Sequence, residues 1–232
     1  INFMFGLRQF YLLVGTILTI IPIIATMTPN IAWIISSLTG YVYVSMGNIS
    51  ESDVLSRNFF FHVALTSVPL YIIGPLGVLN NDIIQSIIFG VFYITGLHFT
   101  YLDNLPAFRK FVLKPSAIVN WGWKQWLIFT CLVIGILFII IYNAQFIIRD
   151  KLVQKYLTGY LTTMILIVLI SMYLSPTYQY HIHHFFVALF FMPLTRFPNR
   201  ISAAIMGLLL GVYIEGVSVW GLAWIWDKVK TN

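Results

Sequence analysis

The chain has 232 residues, of which 59% are hydrophobic and only 9% charged; its mean hydropathy is +0.89 and its net charge +6. Soluble domains carry about 25% charged residues, so this composition excludes a water-soluble globular fold and makes lipid the solvent for much of the surface. No stretch holds five or more like charges, which excludes a basic arm for nucleic acid.

Apolar runs of about 18 residues cross about 30 Å of hydrocarbon, and eight such candidates follow one another here. The first is predicted over 10–27, stopped by Thr28-Pro29, and the second, shorter and rich in Ser and Thr, over 31–46. The third covers 59–79; Asn80-Asn81-Asp82 then turns the chain into the fourth, 83–102. A polar connection with Pro106, Pro115 and Trp121-Gly122-Trp123 leads to the fifth, 125–148, and Arg149-Asp150-Lys151 opens a short loop. The sixth spans 156–174, the seventh is a short segment over about 183–194, and the eighth is a long one over 201–226. The seven Trp and thirteen Tyr suit interfacial belts.

Gly207-Leu-Leu-Leu-Gly211 has the small-xxx-small spacing that lets two helices approach closely. Chance supplies the same spacing. The single cysteine, Cys131, lies inside an apolar run and has no intrachain partner, so it does not report the redox compartment. The chain starts at Ile1 rather than Met and is read as part of a longer protein.

If all eight segments cross, one face receives Arg8, Arg57, Arg109, Lys110, Lys114, Lys124, Lys228 and Lys230. The other receives Arg149, Lys151, Lys155, Arg196 and Arg200. The positive-inside rule favours the first face as cytoplasmic, with the Arg149 to Lys155 loop opposing it.

Alternation of the crossings brings all five histidines toward one face. His62 opens the third span, His98 lies near the end of the fourth, and His181, His183 and His184 open the seventh. Asp103 closes the fourth span on that face, and Glu215 lies about 21 Å along the eighth, nearer the same side. Ionisable groups inside a membrane are costly and face the bundle interior or water.

Tyr180-His181-Ile182-His183-His184 is the sharpest local feature. In a helix His181 and His184 share a face; in a strand His181 and His183 do. Either geometry offers two imidazoles to one metal, Zn or another transition metal, with Asp103, His98 and His62 as further ligands. A histidine trio at a helix mouth equally caps backbone groups or contacts lipid phosphate. Glu215 reads as a proton relay or counter-ion, or as a hydrogen-bonded structural group. Arg196 and Arg200 around Phe197-Pro198-Asn199 read as anchors of a tight interhelical turn. Haem is disfavoured because the histidines lie at helix ends. The chain has no phosphate-cradling Gly loop, no HExxH and no GxSxG.

The C-terminal residues carry a resemblance. His181-Ile-His-His, Ala188-Leu, Pro193-Leu-Thr-Arg196, Ser202, the Gly207 to Gly211 stretch, Ile214, Gly216 and Trp220-Gly221 resemble the C-terminal membrane region of fungal LCCL-domain-containing proteins. That region carries HIHH, a leucine-rich stretch ending in PGTR and a GLLxGLFINGIARWGF-like run. Asp103-Asn-Leu-Pro106 and residues 144–156 fit more loosely, and the first hundred residues match only as helical membrane. Glu215 stands where the family tends to have Asn, and Val217-Ser-Val replaces an Ile-Ala-Arg-like triplet. The family's Cys-bearing LCCL module has no counterpart in these 232 residues. The resemblance implies a multi-pass protein of a eukaryotic plasma membrane or endomembrane and brings no settled activity.

The sequence thus predicts an all-α integral membrane bundle of seven or eight transmembrane helices, one polytopic domain over 1–232. Two functional readings follow. One is a metal-dependent, lipid-directed hydrolase: His181, His183, His184 and Asp103 would hold the metal, and His98 or Glu215 would handle protons. Membrane hydrolases that combine His and Asp supply the analogy. The other is a non-catalytic structural or accessory subunit that packs against other membrane subunits. Lipid is a partner in both, and nucleic acid in neither.

Overall fold

The computed structural model describes residues 36–41, 43–44, 82–109, 111, 115–174, 178–180, 182–220 and 225–228. The first and third predicted spans and His62 lie outside these residues, as does His181. Of the second span, residues 36–41 and 43–44 are helical.

The described residues are mainly helical. Helix α1 is Ile83–Leu97, followed by a 3-10 turn over Phe99–Asn104. Two one-turn helices, α2 (Pro106–Arg109) and α3 (Pro115–Ile118), each start on proline, whose fixed φ suits a first helical position. The long helices α4 (Trp123–Arg149) and α5 (Val153–Leu174) come next. A three-residue strand β1 (Tyr178–Tyr180) precedes α6 (His184–Phe191), a 3-10 turn over Met192–Thr195 and α7 (Arg200–Trp220). Strand β2 (Trp226–Lys228) closes the order.

Local signals explain the boundaries. Asp82 caps α1: its side-chain oxygen accepts from the Ile84 N–H at 2.9 Å, satisfying one orphan donor of the first turn. At α7 the Asn199 Oδ1 accepts from the Ser202 N–H at 2.8 Å, and Asn199 Nδ2 donates to Ser202 Oγ at 2.9 Å. Before α4, Gly122 has no side chain to offer, and only the reverse half of a capping box forms, Gly122 N–H to Gln125 Oε1 at 3.1 Å. Helix α4 ends in a Schellman motif, with Leu152 N–H on Ile147 O at 2.9 Å and Lys151 N–H on Ile148 O at 3.1 Å. Lys151 occupies the left-handed position, at φ 55°.

Two predicted boundaries move. The fourth span was expected to run to residue 102, yet α1 stops at Leu97 and the apolar residues beyond it wind into the 3-10 turn. The eighth was expected to run to Trp226, yet Trp226–Lys228 is a strand. It pairs antiparallel with β1, Tyr178 opposite Lys228 and Tyr180 opposite Trp226, and the Trp226 indole N–H donates to Ser171 Oγ at 2.9 Å. Backbone pairing across the chain outweighs the hydropathy of the segment.

The chain forms two compact units. The first comprises 1–104 and 184–223, the second 105–183 and 224–232. In the first, α1 and α7 pack backbone to backbone. A Cβ at Gly207 would overlap the Phe89 carbonyl and Tyr93 N, one at Gly211 the Tyr93 carbonyl and Gly96 Cα, and one at Gly96 the Leu208 carbonyl and Val212 N. The glycine spacing read in the sequence is therefore a helix–helix seam within the chain. Because later residues of α1 meet later residues of α7, the two helices run parallel. Phe89, Tyr93, Met192, Ala203, Met206 and Leu210 are fully buried around this seam, and Tyr93 OH donates to the Ser36 carbonyl of the helical residues 36–41.

In the second unit, α2 packs on α4, where Gln125 Nε2 donates to the Ala107 carbonyl at 3.1 Å. Trp121 gathers Phe111, Trp126 and Phe129, at ring distances of 5.1, 5.3 and 5.7 Å. Beyond that end α4 and α5 are bare. Only Gln125 and Asn143 are buried on α4, and no residue is buried on α5.

Among the described residues, three helices are long and apolar enough to cross a membrane: Trp123–Arg149, Val153–Leu174 and Arg200–Val219. Helix α1 and the segment His184–Thr195 are apolar but shorter.

Candidate functional site: a buried imidazole–carboxylate pair

Glu215 lies on the fifth turn of α7 and is 1% exposed. A carboxylate in that setting needs a partner, because burying an unpaired charge costs several kcal/mol. The partner is His184, the first residue of α6. Its Nε2 lies 3.0 Å from Glu215 Oε2. An ionised carboxylate only accepts, so this bond places the imidazole proton on Nε2 and leaves Nδ1 as the ring's lone-pair nitrogen. Nδ1 makes no hydrogen bond among the described residues. Glu215 Oε1 is buried and has no hydrogen-bond partner among them.

The pair sits in an aromatic wall. Phe99 tilts over the His184 ring at 5.1 Å, Phe185 meets it edge-on at 6.4 Å, and Tyr213 closes behind Phe185 at 6.3 Å. The His184 side chain is 29% exposed while that of Glu215 is 2% exposed. The imidazole thus stands between the outside and the buried carboxylate, to which it turns Nε2.

His98 caps the C-terminus of α1, next in sequence to the Phe99 that covers His184. Both of its ring nitrogens are engaged. Nδ1 lies 2.7 Å from the Ile94 carbonyl, which can only accept, so Nδ1 carries the proton. Nε2 lies 2.7 Å from Tyr43 OH and accepts from it. Tyr101 stacks on the other side at 5.5 Å. His98 therefore ties α1 to Tyr43.

Of the sequence's site residues, the structure brings together His184 and Glu215, with His98 at the same end of the first unit. Asp103 lies in the 3-10 turn Phe99–Asn104, its side chain outside the described residues. His183 is half-buried and belongs to the second unit. The strand over Tyr178–Tyr180 and the start of α6 at His184 put Tyr180 and His184 in different elements, so the tail does not run as one helix through the trio. Among the described residues there is no cluster of three or more His, Cys, Asp or Glu. Cys131 is exposed on α4, as befits a residue of a bare apolar helix.

Sequence reasoning missed Gly216 and Tyr43. Tyr43 carried no signal. Gly216 carried one, a glycine directly beside a membrane carboxylate, where the absence of a side chain points to a close neighbour. No family model, curated protein or solved structure matches the chain.

Proposed function

We propose that the chain is a polytopic membrane protein of seven or eight crossings that uses the His184–Glu215 pair as an acid–base centre, in metal-assisted hydrolysis of a lipid-borne bond. The 3.0 Å contact between His184 Nε2 and the buried Glu215 carboxylate carries this reading. A helix that is apolar all round is either a core helix or a membrane span. Only 6% of the apolar window of α4 and 0% of that of α5 is buried within the chain, which supports the span.

The carboxylate fixes the orientation and tautomer of the ring and stabilises an imidazolium, as the acidic member of a hydrolase triad does. Nδ1 then faces the reacting side, free to accept a proton from water or to meet a metal. Metal-ligating histidines commonly give their second N–H to a carboxylate, so the pair offers one imidazole ligand, Nδ1, to zinc or another transition metal. Such an ion would supply a polarised water near neutral pH. Asp103 and His181 are further ligands that the sequence offers. Glu215 is the better placed of the two proton-handling candidates, since both nitrogens of His98 are committed.

The test is metal analysis and lipid-ester hydrolysis by the purified full chain. Wild type should carry a transition metal, His184→Ala should lose it, and Glu215→Gln should weaken its binding roughly 10–100-fold. A metal-free, inactive wild type removes this reading and leaves the accessory-subunit reading. The latter has itself lost one support, because the Gly207–Gly211 seam is already filled by α1.

A further inference from the structure

We propose that Gly216 is a positioning residue of this centre: its missing side chain is the notch through which the His184 imidazole reaches the Glu215 carboxylate. The inference rests on the acid–base reading of the pair.

Gly216 follows Glu215 on α7 and faces the first two residues of α6. A Cβ built there would lie 2.7 Å from Phe185 Cβ, 2.9 Å from His184 Nε2 and 3.1 Å from Phe185 Cδ1. The first two are closer than real Cβ contacts allow, and the third is tight. Phe185 is 2% exposed, and its Cβ is rooted in the backbone, so it cannot yield without moving α6. The imidazole is a terminal group and yields by swinging away from Glu215. Either movement breaks the 3.0 Å bond and leaves both buried carboxylate oxygens without a partner among the described residues. Gly96, Gly207 and Gly211 differ in kind. A Cβ at any of them would meet the backbone of the facing helix, so they set the α1–α7 distance and do not touch the pair.

The experiment uses the full chain in lipid nanodiscs with 15N-labelled histidine. In wild type, His184 should show a single tautomer with its proton on Nε2, hydrogen-bonded to a carboxylate; Glu215→Leu, which has no acceptor, supplies the spectrum of the broken bond. Gly216→Ala should give the same loss of signature as Glu215→Leu, and Gly135→Ala should leave it intact. A folded Gly216→Ala protein with an unchanged His184 signature overturns the proposal. Should Gly216→Ala not fold, the double variant Gly216→Ala/Phe185→Gly decides, because it removes the rooted Cβ contact and keeps the contact with the imidazole. A lost His184 signature in it supports the proposal, and an intact one overturns it. The signature needs no substrate. An inactive wild type therefore ends the hydrolase reading and leaves the role of Gly216 standing.

Discussion

Helices α7 and α5 are both long, apolar and able to cross a membrane, yet 67% of the apolar window of α7 is buried within the chain and none of that of α5. Apolarity does not make the difference, because hydrocarbon gives no hydrophobic drive for one apolar helix to leave lipid for another. Small residues and polar partners do. Helix α7 carries Gly207 and Gly211, which let the α1 backbone approach, together with Glu215, which finds its partner His184 on α6. Helices α4 and α5 have Gly135 and Gly159, but a Cβ at either meets nothing within 4 Å. The same residue type is a seam in one region and an unused gap in the other.

The largest expected effect breaks this contrast directly. Gly211→Leu should cost about 4 kcal/mol or more, enough to unfold the first unit, because the new side chain meets backbone that cannot move aside. Gly135→Leu should be close to neutral. Thermal unfolding in nanodiscs with protease protection compares them; equal losses would show that the seam is not what separates the two regions.

A smaller effect sharpens the picture of the bare pair. Lys151 holds a left-handed φ in the turn between α4 and α5, a conformation that costs a side-chain-bearing residue about 1 kcal/mol. Lys151→Gly should therefore raise stability by roughly 0.5–1 kcal/mol, read as a higher unfolding temperature. A loss would mean that the lysine side chain contributes more than its backbone costs.

The smallest effect is at the same turn. Hydrogen bonding to the Arg149 guanidinium, at 2.7 Å, holds the Asp150 carboxyl below its ordinary range. A lowered value stabilises the fold above about pH 4, and the contribution disappears as pH falls through the folded-state value. Both partners are exposed, so water screens most of it. Asp150→Asn should leave the unfolding temperature unchanged at pH 7, and wild type and variant should coincide on acidification.

The sequence made some of this legible. The spans at 125–148 and 156–174 match α4 and α5 to within three residues, because Arg149-Asp150-Lys151 interrupts two unbroken apolar runs. The end of α1 was not legible. Phe99 to Leu102 continues the apolar pattern, and nothing in it marks a change from an α to a 3-10 winding. The end of α7 was missed for a different reason: the partner of Trp226–Lys228 is a strand nearly fifty residues earlier, and hydropathy is blind to such pairing. Glu215 announced itself through the expense of a membrane carboxylate, and His184 through the histidine cluster. That the two belong together follows only from the α6–α7 fold. Gly216 was passed over because lone glycines are ordinary in membrane helices.

The parallel α1–α7 seam has a consequence for biosynthesis. Its two halves, Gly96 and the Gly207–Gly211 turn, leave the ribosome roughly 110 residues apart, or on the order of 5–20 s at typical elongation rates. Throughout that interval the glycine face of α1 has no α7 to cover it. A newborn chain must either shield that face with a chaperone or risk mating with a neighbouring nascent copy before α7 arrives.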